Sequence, residues 1–371
     1  MKLLYIVNQI NGTTGLERIL SIKINHFIEE YGYEVGLMAI NEVSSNRFFQ
    51  FSPKMKYSFI NSGGTVKPLS FLNKISKVKK QIKENRPDVI IVCIDNVIGL
   101  YLPFFLGTDI PMVYERHNSL NANFASNQGF KRIGVFKILK TWLLRNGGAK
   151  YSRFVLLSKD HLSEWKHLSN TTVISNPAVF QSESKAVLEN KTVLAVGRHS
   201  YQKGFDFLLK SWQKVVKSHP DWRLNIFGKK DTKMDLEGLA VSYGIEKSVH
   251  FCDPVKNIGE EYMKSSIFAL SSRYEGFPLV LIESMSFGLP PVAFACPYGV
   301  QEIVTNGEDG ITVKPEDVED LSKGIITLIE NDDLRKKMGK NAWQNIKRLS
   351  KDRIMEQWHQ LFEELKHSSI P

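Results

Sequence analysis

Two glutamates eight positions apart, Glu275 and Glu283, lie in the run Arg273-Tyr-Glu-Gly-Phe-Pro-Leu-Val-Leu-Ile-Glu283, which follows an apolar strand. Pro278 suits the first position of a helix, where its fixed φ and missing N–H cost nothing. Glu275 therefore precedes that helix, and Glu283 lies about a turn and a half inside it. Gly276 allows close backbone approach, and the free first-turn N–H groups, near Leu279 and Val280, can hold a diphosphate with help from the helix dipole. Glu283 sits amid Val280, Leu281, Ile282 and Met285, where a carboxylate is costly unless it finds donors, and sugar hydroxyls are suitable donors. Two arbitrary glutamates would read as a helix-end charge and a solvated side chain; the Gly-Phe-Pro context and the preceding strand argue against that.

A second pair of charges has the same logic. A strand ending in Gly197 delivers Arg198 to the carboxyl edge of its sheet, and Lys203-Gly204 opens the next helix, so both cations can meet one diphosphate. His117 follows the strand Met112–Glu115 and can donate to a sugar hydroxyl or a main-chain carbonyl, or serve structure alone. Its neighbours Glu115 and Arg116 are alternative contacts for an acceptor. Gly12 and Gly15 flank two threonines after the first strand, where the backbone either approaches a ligand or turns. Three cysteines, Cys93, Cys252 and Cys296, are odd in number and far apart, which fits a reducing compartment and neither a disulfide framework nor a zinc site. There is no G-x-G-x-x-G after the first strand, no Walker A loop and no H-E-x-x-H.

These residues need sheet edges to stand on. Apolar runs at 3–7, 35–40, 89–93, 112–114, 154–157 and 173–175 read as strands, with helical patterns at 16–30, 72–85, 130–144 and 159–167. After Ser175-Asn176-Pro177 a polar segment marks a linker. The rhythm restarts with strands at 192–196, 224–227, 249–251, 267–270, 291–294 and 311–313 and helices between them. At 371 residues the chain exceeds what one core serves. The expected architecture is α/β: two Rossmann-like doubly wound parallel-sheet domains, residues 1–175 and 176–350, with a last helix, 351–371, packing back on the first domain. Ligand is expected at the carboxyl ends of the strands.

The run from Arg273 to Pro290, with its two glutamates, resembles the signature of family 4 of the retaining glycosyltransferases, whose two Rossmann-like domains face a central cleft in the fold called GT-B. The resemblance covers nearly the whole second half: Val196-Gly-Arg-His-Ser-Tyr-Gln-Lys-Gly204, Pro297-Tyr-Gly-Val-Gln-Glu-Ile-Val304 and Asn306-Gly-Glu-Asp-Gly310. In the first half, Gly12-Thr-Thr-Gly-Leu-Glu-Arg18 resembles the glycine loop that brings Gly15 to the donor, and Glu115-Arg-His117 the place of a histidine near the donor sugar. The resemblance implies that Glu275 binds the transferred sugar, Glu283 the ribose, and the main chain from Gly276 through Phe277, Pro278, Leu279 and Val280 surrounds the phosphates. The base would lie near Phe227-Gly228 and Val255. It also implies a retaining reaction in which the departing phosphate acts as base, and a UDP-linked sugar as the default donor. Two positions depart from the pattern: Cys252-Asp253-Pro254 stands where a glycine commonly falls, and His199 where an apolar residue does. No D-x-D triplet, the usual Mg²⁺ or Mn²⁺ carrier of the other large transferase fold, occurs, so Arg198 and Lys203 are expected to replace a metal, with no cofactor beyond the nucleotide-sugar co-substrate.

The net charge of +10 is divided unevenly, +11 over residues 1–175 and −1 over the remainder. From Arg116 to Lys159 there is no acidic residue, and cations Lys131, Arg132, Lys137, Lys140 and Arg145 are interleaved with Phe130, Phe136 and Trp142. Such a helix fits an anionic membrane surface; packing of its apolar face on the sheet is the plain alternative. The aromatics are not spaced as stacking platforms, so no nucleic acid is expected. The N-terminus turns polar at Asn8, too soon for a signal-peptide core. The expected setting is the cytoplasm, peripheral on the inner membrane face, with a lipid-linked or glycan acceptor in bacterial surface glycan synthesis. A nucleotide-sugar epimerase and a non-catalytic basic binding module are the competing readings.

Overall fold

In a computed structural model the described residues are 1–12, 14–42, 47–60, 68–119, 139, 142–144, 146–180, 182–231 and 234–368. The 130–145 basic helix falls largely outside them, including Lys131, Arg132, Lys137, Lys140 and Arg145. The chain forms two compact units, residues 1–177 with 351–371, and 178–350.

The first unit is built on a seven-stranded sheet: β1 (Lys2–Val7), β2 (Glu34–Ala39), β3 (Lys56–Phe59), β4 (Val89–Cys93), β5 (Met112–Arg116), β6 (Arg153–Leu156) and β7 (Thr171–Val173). The order is β3-β2-β1-β4-β5-β6-β7 and every pairing is parallel. Runs such as Val-Ile-Ile-Val-Cys in β4 are buried on both faces, which a parallel sheet covered by helices demands. Order reverses between β1 and β4, so the loops after those two strands diverge at the carboxyl edge.

The second unit repeats the plan with β8 (Thr192–Val196), β9 (Arg223–Phe227), β10 (Val249–Cys252), β11 (Ile267–Leu270), β12 (Pro291–Phe294) and β13 (Ile311–Val313). The order is β10-β9-β8-β11-β12-β13, again parallel. The reversal falls between β8 and β11. The helix Phe205–Ser218 buries Leu208, Leu209, Trp212 and Val215 and packs against the helix Val318–Glu330, where Ser211 Oγ donates to the Val318 carbonyl at 3.0 Å. Trp212 Nε1 donates to Ser248 Oγ at 3.0 Å, satisfying the one polar atom of that side chain.

The final helix, Lys351–His367, belongs to the first unit. Its Phe362 meets Phe27 at 5.4 Å between centroids, and its Glu356 accepts from Tyr31 at 2.8 Å. Among the described residues no helix is long and apolar enough to cross a membrane.

Four local outcomes differ from the sequence pattern. The 159–167 helix is a 3₁₀ turn over Lys159–Ser163. Strand β3 and the helix Val97–Leu106 have no counterpart in the pattern. Pro278 caps its helix, Leu279–Ser286, from one position before the first turn.

Candidate functional site

The loops after β8 and β11 meet at the point where the order of the second sheet reverses. Lys203, from the first loop, donates to Glu275 Oε1, from the second, at 2.7 Å; the two side chains are 16% and 7% exposed, so the pair is shielded yet reachable. Three glycines permit the approach. A Cβ on Gly197 would lie 2.9 Å from Lys203 Cε, one on Gly204 2.1 Å from the Ser271 carbonyl oxygen, and one on Gly228 1.8 Å from the Gly197 carbonyl oxygen. The Gly204 contact is with backbone of the loop after β11, so any other residue there would push these two loops apart; Gly228 lets the loop after β9 lie against the Gly197 carbonyl, and at Gly197 the neighbour is the flexible Lys203 side chain. Gly204 also has φ +60°, a region glycine occupies without strain.

The junction is braced from one side. Arg273 forms two hydrogen bonds to Asp206, at 2.9 and 2.6 Å, and its guanidinium lies 3.9 Å from the Tyr201 ring centroid and 4.3 Å from that of Phe207. The Arg273 amide donates to the Gln202 carbonyl at 2.8 Å, and Gln202 Nε2 to the Tyr274 carbonyl at 3.1 Å. Arg273, the first residue of the signature, thus holds the loops and leaves Lys203 and Glu275 to face outward. Burial, with the Glu275 carboxylate nearby, pushes the Cys296 thiol up, so it stays protonated and unreactive.

Arg198, in the same loop as Lys203, is exposed, and among the described residues its guanidinium has no hydrogen bond or ion pair. Phe227 is buried at the end of β9, while Val255 is exposed, 43%, in the loop after β10. Glu283 is 2% exposed and accepts from the Tyr262 hydroxyl at 2.9 Å. Glu275 is thus paired with Lys203, and Glu283 with Tyr262. His199 is buried, in edge contact with Phe205 and Phe251, and burial together with Lys230 lowers its pKa, so the ring is neutral. The apolar residue common at that position is replaced by an imidazole that packs as one.

The histidine of the first unit stands in a different setting. Glu115, at the end of β5, receives Lys23 Nζ on both oxygens at 2.7 Å, each side chain 1% exposed. His117 Nε2 lies 3.4 Å from Glu115 Oε1, and Cys93 Sγ 3.4 Å from Oε2. Burial alone would raise the Glu115 carboxyl; Lys23 and His117 overcome it and hold it below the ordinary carboxylate range. Cys93, Glu115 and His117 present three ligand atoms within 4.8 Å of one another, but the Lys23 ammonium already supplies positive charge there. Asp95, after β4, accepts from the His117 amide at 3.2 Å and from Asn118 Nδ2 at 2.8 Å, and lies 3.5 Å from the buried Arg116.

Gly12 and Gly15 differ from each other. A Cβ on Gly12 would lie 2.3 Å from Glu17 Oε1, the carboxylate that caps the helix Gly15–Glu29 by accepting from the Thr14 amide at 3.1 Å. Gly12 makes room for that cap. Gly15 is exposed at the first helical position.

Tyr262, Asp206 and Lys23 carry no motif. Lys23 alone leaves a trace in the sequence: it lies on the stripe Ile19, Leu20, Ile24 and Phe27, where a lysine must find an acid.

Two all-parallel sheets, each with its diverging loops at one carboxyl edge, define the GT-B class of folds. Anabaena HepE, solved in complex with UDP, shares it: TM-score 0.73 at 19% identity, over 98% of this chain and 100% of that one. Residues 179–345 match the model of the family described as glycosyl transferases group 1. An uncharacterized glycosyltransferase of Haemophilus influenzae is 31% identical over 96% of this chain and 98% of its own length. The amylovoran biosynthesis glycosyltransferase AmsD of Erwinia amylovora is 28% identical over 97% and 99%. The chain belongs to the group 1 glycosyltransferases.

Proposed function

We propose that this transferase moves a hexose or N-acetylhexosamine, with retention and without a metal, from a UDP-linked donor to a lipid-linked or glycan acceptor at the cytoplasmic face of a bacterial membrane. The observation that carries the reading is the Lys203–Glu275 pair at the reversal point of the second sheet, with the exposed Arg198 in the same loop as Lys203. A diphosphate arriving there meets two cations and the amides from Gly276 to Val280. Glu275, its negative charge already balanced by Lys203, accepts from hydroxyls of the transferred sugar.

Glycosyl transfer breaks the bond between the anomeric carbon and the diphosphate oxygen. Charge then builds on the departing phosphate, and Arg198 and Lys203 stabilise it where it develops. The acceptor hydroxyl attacks from the same face and gives its proton to that phosphate, so no separate carboxylate base is required. Glu283 reaches the ribose by exchanging its bond from Tyr262 for one from a ribose hydroxyl. Within the first unit, Glu115 orients the His117 ring, the side chain there that would serve a sugar hydroxyl. The UDP complex of HepE and the polysaccharide-type synthesis in the name of AmsD support the donor and the setting.

The test is a panel of UDP-, GDP- and ADP-sugars offered to the purified protein, with nucleotide release followed as acceptors are added and again in the presence of EDTA. Acceptor-dependent release of UDP, unchanged by EDTA, is expected. Failure of every nucleotide to raise the melting temperature would sink the reading, because anything that binds only the native state must stabilise it.

A further inference from the structure

The helix Val97–Leu106, Val-Ile-Gly-Leu-Tyr-Leu-Pro-Phe-Phe-Leu, contains no charged or strongly polar residue. Its inward side buries Gly99, Leu100, Leu102 and Leu106. Its outward side is equally apolar: Ile98 is 41% exposed, Phe104 59% and Phe105 42%. A helix facing water on one side normally carries polar residues there, and one apolar all round belongs in a core or in contact with lipid. The patch continues onto the neighbouring stretch, where Leu139 and Trp142 are exposed by 49% and 58%. The two are tied together, since Tyr101 donates to the Leu143 carbonyl at 3.1 Å and stacks on Phe104.

Charge distinguishes a bilayer from other occupants. Between residues 96 and 159 the sequence has two acids, Asp109 and Glu115, and Glu115 is buried. Lys150 is exposed at the edge of the patch, with Nζ 5.8 Å from the Phe104 ring centroid. The first half of the chain carries the whole positive excess. Two copies meeting through this face would set basic rims against each other, which repel, whereas an anionic surface attracts them. Exposed aromatic side chains with a lysine at their edge are the composition of a headgroup-level contact.

We propose that Ile98, Phe104, Phe105, Leu139 and Trp142 form a patch that enters the headgroup region of an anionic bilayer, with Lys150 at its rim. This contact is independent of the donor site, and it holds the first unit against the surface by insertion as well as charge.

The full chain is sedimented with vesicles of phosphatidylcholine alone and with vesicles containing phosphatidylglycerol, at low and high salt. Wild type is expected to partition to the anionic vesicles, less so at high salt. The double change Phe104→Ser with Phe105→Ser is expected to lower the partition coefficient by about tenfold or more, and Trp142→Ser by a smaller factor. Melting curves of the same variants, unchanged within a few degrees, show that the fold is retained. The proposal is overturned if wild type stays in the supernatant with anionic vesicles at low salt, or if the double variant sediments like wild type. It is also overturned if sedimentation velocity shows a dimer that the double variant dissociates while vesicle binding is unaffected, since the face is then an interface between copies.

Discussion

Two lysine–glutamate pairs in this molecule have the same length, 2.7 Å, and opposite character. Lys23–Glu115, in the first unit, is 1% exposed on both sides; Lys203–Glu275, in the second, is 16% and 7% exposed. The first pair is closed: Cys93, His117 and the Trp358 ring, 3.5 Å from Lys23 Nζ, fill its surroundings. The second lies at a glycine-lined junction, with the exposed Arg198 in the same loop as its lysine. A sealed pair costs desolvation that its attraction only repays when the geometry is kept, so losing one partner harms the fold. An open pair costs less, and its charge remains available to a ligand. Bond length alone therefore says nothing about role; burial and the spare groups nearby do.

The largest expected effect breaks the closed pair. Lys23→Met leaves Glu115 buried without its partner, and equilibrium unfolding should show a loss of about 3–5 kcal/mol. Combining Lys23→Met with Glu115→Gln removes both charges and should recover most of that loss. If the single change costs less than about 1 kcal/mol, the first pair is not sealed and the contrast fails.

At the open pair the same kind of change should leave the fold alone. Lys203→Ala is expected to lower acceptor-dependent nucleotide release by about 10²–10³-fold, as for loss of one preorganised charge at a developing anion. It should abolish the melting shift given by UDP while changing the melting temperature of the free protein little. Undiminished turnover in this variant removes the central residue of the proposed site.

A third prediction uses pH. His161 is buried, its Nδ1 2.8 Å from Ser158 Oγ, and burial with the nearby Arg116 lowers its pKa from 6.5 to about 4. A lowered histidine is neutral in the fold and protonated in the unfolded chain between those values. Its contribution is therefore complete above pH 6.5 and is lost as pH falls towards 4, about 3 kcal/mol in all. Glu115, whose carboxyl is held below the ordinary range in the fold, adds its own loss only as pH falls through the ordinary carboxylate value of 4.5, so the decline between pH 6.5 and 5 belongs to histidine. His161→Gln should flatten the decline in stability measured between pH 7 and pH 4.5; an unchanged slope assigns it to His26, His167 and His199, whose pKa values are also lowered.

The same contrast separates what was legible from what was not. β8, β11 and β12 occupy the residues their apolar runs mark, because a strand buried on both faces writes itself as a continuous apolar run. Lys203, Arg198 and Glu275 were legible for a related reason: they stand just after such runs, next to glycines. The helix Val97–Leu106 was not, since period reading needs polar residues to mark a solvent face and it has none, and Pro103 argues against it. Strand β3, Lys-Tyr-Ser-Phe, is an edge of four residues with exposed ends. Long-range partners were unreadable altogether: 92 positions separate Lys23 from Glu115, and 21 separate Tyr262 from Glu283. Nothing local in either segment names the other.

Tyr262 gives the smallest effect and the sharpest probe of the open site. Its ring is buried, stacked 5.5 Å from that of Phe287, and its hydroxyl donates to Glu283 at 2.9 Å. Tyr262→Phe keeps the ring and removes one hydrogen bond to a carboxylate, a net contribution to stability of about 1.5–3 kcal/mol. If Glu283 leaves that bond to take a ribose hydroxyl, the cost is borne by the free protein and not by the complex. The variant should then lose stability while its affinity for UDP, from titration calorimetry, stays within about threefold of wild type or rises. If the hydroxyl instead holds Glu283 in the position the ribose requires, affinity falls together with stability. Glu283→Gln separates the two cases further: it retains an acceptor for the tyrosine but loses the negative charge, and should weaken UDP more than Tyr262→Phe does. Equal losses in both variants would mean that Glu283 is held for packing alone, and the second glutamate of the signature would then belong with the closed pair and not with the open one.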